Sequence, residues 1–171
     1  MALDIMYPIL QIVGFQNSGK TTLVEKLVQT GTANGLKVAT LKHHGHNTGL
    51  DSLHIMKDSV RHRKAGAVLS GVEGGGSLQI EAITTDWRLD KLIKLYSFFE
   101  HDMILVEGYK NEDYPKVIMI REEKDVELLS SLKNIVAVIS WIQIESQYPL
   151  FNIKDEKTYL NWLVRSSEVN E

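Results

Sequence analysis

Hydrophobic positions along this 171-residue chain fall into short apolar runs that alternate with helical stripes. Pro8 to Phe15 is mostly apolar and reaches Gly14 near its end, the pattern of a strand buried on both faces. From Lys20 to about Ala33, Leu23, Val24, Leu27 and Val28 recur at helical spacing, and Asn34-Gly35 closes the helix. Lys37 to Leu41 predicts a second strand. The His-rich stretch to Leu53 lacks periodicity and predicts a loop, and Ile55 to Lys64 predicts a helix. Ala67 to Val72 and Ser77 to Ile83 predict two strands joined by a turn at Gly74-Gly75-Gly76. Asp90 to Phe99 is amphipathic through Leu92, Leu95, Tyr96 and Phe99. Met103 to Val106, Val117 to Ile120 and Ile135 to Ile139 are three further apolar strands. Asp155 stands where a capping side chain would open a last helix, whose Tyr159, Leu160, Leu163 and Val164 share one face.

Strands alternating with helices predict an α/β domain with a mostly parallel sheet. The Gly-rich hairpin is expected to add antiparallel strands at an edge. There is no internal repeat, low-complexity tract or linker, so residues 1–171 are expected to form a single domain.

Composition narrows the function. Hydrophobic residues make up 43% and charged residues 24%, enough for a core and too apolar for a disordered chain. The net charge of −3 argues against a basic nucleic-acid binder. Cysteine is absent, which excludes disulfides, thiolate-ligated zinc, iron–sulfur clusters and thiol nucleophiles, and suits a reducing cytoplasm. The first residues lack the basic and long apolar regions of a signal peptide, and no apolar run has the length of a membrane helix.

Charge is unevenly distributed. Between Leu36 and Ala65, six basic residues (Lys37, Lys42, Lys57, Arg61, Arg63, Lys64) face two acids, Asp51 and Asp58. That segment is net +4 and the remainder −7. It also holds five of the six histidines: His43, His44, His46, His54 and His62. A basic segment in an acidic chain points either to an anionic ligand or to a solvated basic face.

The most specific local signal is Gly14-Phe15-Gln16-Asn17-Ser18-Gly19-Lys20-Thr21, which fits the P-loop pattern G-x-x-x-x-G-K-[ST]. It follows an apolar strand and opens an amphipathic helix, the context the pattern requires. Glycines there permit backbone conformations that aim N–H groups at phosphate oxygens, and the helix N-terminus adds its own. Backbone from Gly14 through Asn17, Ser18 and Gly19 into Thr22 is therefore expected to cradle phosphates. Lys20 is expected to reach the β- and γ-phosphates, and the Thr21 hydroxyl to bind Mg²⁺. The expected fold becomes a P-loop NTPase three-layer sandwich.

Such a site needs an acid near the metal. Glu107 ends the apolar strand at Met103 to Val106, where α/β sheets bind ligands. It is expected to serve the Mg²⁺ side or to position an attacking water. Asp102 begins that strand and is expected to be structural at the opposite end. Lys42, at the end of the second strand, is placed to contact phosphate. The adjacent histidines admit metal binding, anion contact or a solvated loop. Asp51 is a candidate second metal-side acid, and Asp58 and Arg61 are spaced to pair on a helix. Gly71 and Gly74 to Gly76 admit a second phosphate loop, but no helix follows, which favours a hairpin turn. Asn152-Ile153-Lys154-Asp155 is like a guanine-reading Asn-Lys-x-Asp loop with its Lys displaced by one position. The residues themselves do not separate GTP from ATP.

The P-loop, Leu41-Lys42-His43-His44-Gly45-His46, Asp58-Ser59 with Arg61-His62-Arg63 before Ala65-Gly66-Ala67, and Val106-Glu107-Gly108-Tyr109-Lys110 together resemble the molybdopterin-guanine dinucleotide biosynthesis protein B (MobB) family. The resemblance runs from about Pro8 to Leu163. It implies a cytoplasmic, homodimeric GTP-binding accessory protein with weak GTPase activity. In that family's role it would assist the guanylyltransferase MobA in attaching GMP to molybdopterin. By position, Gly14, Gly19, Lys20 and Thr21 would bind nucleotide phosphates and Glu107 would stand beside Mg²⁺. The basic segment around Lys42 and Arg61 would meet the pterin phosphate or an acidic face of MobA. No nucleic-acid or membrane partner is expected. The alternative is an ATP-dependent small-molecule kinase or ligase like dethiobiotin synthetase, which product analysis separates: orthophosphate alone for a hydrolase, a phosphorylated small molecule for a kinase.

Overall fold

The computed structural model describes residues 8–44 and 57–165, with backbone alone at 57 and 58. Within these residues the chain forms two compact units, one of residues 8–44 and 94–165 and one of residues 57–93.

The larger unit is built on a six-stranded sheet. Its strands are β1 (Ile9–Val13), β2 (Val38–Lys42), β5 (Met103–Glu107), β6 (Lys116–Ile120), β7 (Ile135–Ser140) and β8 (Leu150–Asn152), in the order β2-β5-β1-β6-β7-β8. Every neighbouring pair is parallel. All residues of β5 and β6 are buried, as expected of central strands covered on both faces. Alternate side chains go to opposite layers. Val117 and Met119 join one apolar cluster with Leu23, Leu27, Tyr159 and Leu163. Ile118 and Ile120 join a second with Leu128 and Val138. The first layer comprises α1 (Lys20–Ala33) and α5 (Glu156–Val164). The second contains a 3-10 turn at Glu123–Glu127 and α4 (Leu128–Ser131). The three-layer expectation holds, and the four apolar residues chosen for α5 are all buried.

The strand order aligns the site. In the β2–β5 register Lys42 pairs with Glu107, and in β1–β5 Ile12 pairs with Glu107. The carboxyl ends of β1, β2 and β5 therefore share one edge, where parallel sheets bind ligands. Asp102, at the other end of β5, accepts a hydrogen bond from the Lys37 amide at 2.7 Å, which is the structural role expected of it.

The smaller unit holds α2 (Lys57–Lys64), β3 (Leu69–Gly74), β4 (Ser77–Ala82) and most of α3 (Leu89–Tyr96). β3 and β4 pair antiparallel over six positions each. Gly75 and Gly76 between them have φ of 59° and 80°, the positive values a two-residue hairpin turn requires. The turn is a hairpin and not a phosphate loop. It differs from expectation in one respect: β3 and β4 form a two-stranded sheet of their own and do not extend the six-stranded one.

Asp155 also departs from its expected role. It stands at the N-cap of α5, but its side chain makes no capping hydrogen bond. Its ψ of 44° lies outside the extended region from which a cap side chain reaches back to the helix. The Asp155 carbonyl instead accepts the Thr158 and Tyr159 amides at 3.0 and 3.2 Å.

Candidate functional site

Gly14 and Gly19 are glycines for different reasons. Gly19 is the N-cap of α1 and has φ 98°, a left-handed conformation that disfavours any side chain. Gly14 is not in that region. A Cβ there would lie 2.5 Å from Ser18 Oγ and 2.9 Å from the Met119 carbonyl oxygen. Its role is close approach, not the conformational freedom expected for both glycines. Asn17 supplies a second left-handed residue, φ 62°, as Asn tolerates.

Three carbonyls of the loop are tied down. The Phe15 carbonyl accepts Lys20 Nζ at 2.7 Å, the Asn17 carbonyl accepts Arg121 Nη1, and the Ser18 carbonyl accepts Trp141 Nε1 at 3.2 Å. Fixing these carbonyls fixes the peptide planes between them. α1 has no side-chain cap, and the first amide groups of a helix lack intrahelical acceptors. The helix start thus keeps its N–H groups for an anion.

Beside it lies a polar cluster. Thr21 Oγ1 donates to Glu107 Oε1 at 2.9 Å. Lys42 Nζ donates to Thr21 Oγ1 at 3.2 Å and stands 3.1 Å from Glu107 Oε1. Glu107 is buried and Lys42 mostly exposed. Burial holds the Lys20 ammonium below its ordinary lysine value; Glu107 opposes the fall and Lys42 adds to it. These side chains line one cleft of about 1050 Å³ with Gln16, Asn17, Gly19 and Thr22.

The structure therefore brings together Asn17, Gly19, Lys20, Thr21, Thr22, Lys42 and Glu107. Gly14 and Ser18 frame the loop from behind: Ser18 is buried, and its hydroxyl lies against Gly14. Gly14 instead borders a neighbouring hollow of about 470 Å³ with His43, Tyr109 and Lys110. There the His43 ring sits 4.3 Å from the Tyr109 ring. Tyr109 has φ 53°, and buried Gln11 holds this turn by donating to the Gly108 and Tyr109 carbonyls at 3.2 and 2.7 Å. Arg61 lies on α2 in the smaller unit. Asp51, His46, His54 and the side chain of Asp58 lie outside the described residues. Among the described residues, no cluster of three His, Cys, Asp or Glu side chains could hold a metal.

Arg121, Glu122, Lys124 and Trp141 also line the cleft, and sequence reasoning missed them. They follow β6 and β7, which the parallel sheet brings to the P-loop edge. The available signal was position: each comes just after an apolar strand.

Residues 9–141 match the family described as molybdopterin guanine dinucleotide synthesis protein B, MobB. The chain belongs to the MobB family. It is 45% identical over 139 residues to a Bacillus subtilis protein named a probable molybdopterin-guanine dinucleotide biosynthesis adapter protein, covering 81% of this chain and 79% of that one. The Escherichia coli adapter protein of the same pathway name is 29% identical over 170 residues, covering 96% and 95%. Among solved structures, Bacillus subtilis MobB superposes with a TM-score of 0.78 at 38% identity, covering 92% of this chain and 96% of that one. A MobB homolog from Bacillus stearothermophilus gives 0.75 at 39% identity, covering 91% and 94%. The MobB-family fold, with its mostly parallel sheet, is thus the one the sequence predicted. No helix of the described residues is long and apolar enough to cross a membrane.

Proposed function

We propose that this chain is a GTP-binding adapter in molybdopterin guanine dinucleotide synthesis, assisting a MobA-type guanylyltransferase as GMP is joined to molybdopterin. The observation that carries the reading is the convergence of Lys20, Thr21, Lys42 and Glu107 at an uncapped helix start. Two lysines and a row of amide groups suit a polyanion such as a triphosphate. The pathway is inherited from the family and from the names of its relatives.

The donor set suits Mg²⁺. A hydroxyl and a carboxylate, both hard oxygen ligands, stand 2.9 Å apart at the cleft, and Mg²⁺ is held by few protein oxygens plus substrate phosphates. Thr21 and Glu107 would hold it. When bound, Mg²⁺ would offset charge on the β- and γ-phosphate oxygens.

The chain's own groups do the rest. Lys20 leaves the Phe15 carbonyl to meet the β/γ oxygens, and Lys42 exchanges Glu107 for the terminal phosphate. Glu107 is positioned to serve both the metal and an attacking water. The slow hydrolysis of this reading comes from the family resemblance, and it would suit occupancy rather than turnover. The exposed apolar residues Val68, Leu69, Leu78, Ile80 and Ile83 on and beside the hairpin suit a homodimer contact, and the reducing cytoplasm suits a cysteine-free chain.

The test is a reconstituted assay: MobA, molybdopterin and GTP, with and without this chain. Added wild-type protein should raise the yield of the dinucleotide, and Lys20→Ala should not. An unchanged yield with the wild type would remove the adapter reading.

A further inference from the structure

Trp141 follows β7 and is 48% exposed. Its position is nevertheless fixed. The indole N–H is bonded to the Ser18 carbonyl at 3.2 Å, and the Arg121 guanidinium lies 5.5 Å from the ring centroid. Arg121 is itself anchored on the Asn17 carbonyl. A Cβ placed on Gly19 would meet the ring at 3.8 and 4.0 Å. The ring therefore stands in contact with the start of α1, and it is the one aromatic among the described residues lining the cleft.

We propose that Trp141 is the stacking platform for the purine base of the bound nucleotide. The inference rests on the reading of the cleft as a triphosphate site and adds the base subsite that the displaced Asn-Lys-x-Asp look-alike does not supply. That segment makes a local turn, with the Lys154 amide donating to Asn152 Oδ1 at 2.9 Å. Phosphates seated on Gly19, Lys20, Thr21 and Thr22 leave the sugar and base to run along the same cleft. There the exposed part of a rigid indole meets the base. A flat π-face held by its edge costs little ordering on binding and accepts any purine, so it supplies affinity and leaves the choice between guanine and adenine to other groups.

The indole also ties down the P-loop, so the test must separate base contact from loop support. Inorganic tripolyphosphate carries the anion without the base. GTP and tripolyphosphate, each with Mg²⁺, are titrated into wild type, Trp141→Ala and Trp141→Phe by calorimetry. Base loss at an aromatic platform corresponds to roughly a 5- to 150-fold change in affinity. The proposal expects Trp141→Ala to lose GTP affinity about tenfold or more while tripolyphosphate stays within about twofold. Trp141→Phe, which keeps a ring but loses the N–H, should retain most GTP affinity. A parallel loss of both ligands in Trp141→Ala would overturn it and leave Trp141 a loop support. Unchanged GTP affinity in Trp141→Ala would overturn it too. If neither ligand bound the wild type, the triphosphate reading itself would fall first.

Discussion

Thr21 and Glu107 stand 86 positions apart in sequence, yet Thr21 Oγ1 donates to Glu107 Oε1 at 2.9 Å. The parallel register of β1 and β5 makes the contact: it sets Glu107 beside Ile12, just before the loop that delivers Thr21. Glu107→Gln keeps an acceptor for the Thr21 hydroxyl and removes the charge. The expected result is a roughly 10- to 100-fold loss in the Mg²⁺-dependent part of GTP affinity, with the melting temperature nearly unchanged. Titrations with and without Mg²⁺ check it; an unchanged Mg²⁺ dependence would remove Glu107 from the metal side.

Lys20→Ala should abolish measurable triphosphate binding, a loss of about a hundredfold or more, because charge-assisted bonds to phosphate are among the strongest in a site. Equilibrium titration against wild type decides it.

The same lysine predicts a proton linkage. Burial holds its pKa below the ordinary lysine value in the unliganded protein, and a bound polyanion must raise it again. Binding should therefore take up protons at alkaline pH, and affinity should fall as pH rises through the lowered value. Calorimetry in two alkaline buffers of different ionisation enthalpy reads the uptake directly. Identical heats in both would show that Lys20 does not change protonation on binding.

Gly14→Ala should destabilise the fold by about 1–3 kcal/mol, because its Cβ meets the Met119 carbonyl at 2.9 Å as well as Ser18 Oγ. Ser18→Ala in the same chain removes only the hydroxyl clash and should restore part of the loss. Denaturant melts of the single and double variants measure both.

The hairpin carries the dimer prediction. Ile80→Asp, at a half-exposed position of β4, should shift the mass in light scattering from dimer to monomer at micromolar concentration. A wild type that is already monomeric would contradict the homodimer.

Strands and helices were legible where hydrophobic period and turn chemistry agreed. α1 spans the predicted Lys20–Ala33, because its apolar stripe begins one turn after Gly19 and ends at Asn34-Gly35. β8 was missed because three residues, Leu150–Asn152, are too few to show a period. Lys116 was missed as a strand residue because a lysine interrupts the apolar pattern. It is buried, and its Nζ donates to the Glu112, Tyr114 and Lys133 carbonyls at 2.7, 3.0 and 2.9 Å. At the site, the P-loop, Lys42 and Glu107 were legible because each sits at the carboxyl end of a strand or the start of a helix. Arg121 and Trp141 were not. Their place depends on which strand neighbours β1, and the order β1-β6-β7 is not written in any local pattern.

The most direct test of the central claim is a side-by-side titration of the wild-type protein with GTP and ATP, each with and without Mg²⁺ at fixed ionic strength. Mg²⁺-dependent binding with clear preference for GTP is the predicted result. Absence of nucleotide binding, or equal or tighter binding of ATP, would contradict a GTP-binding adapter.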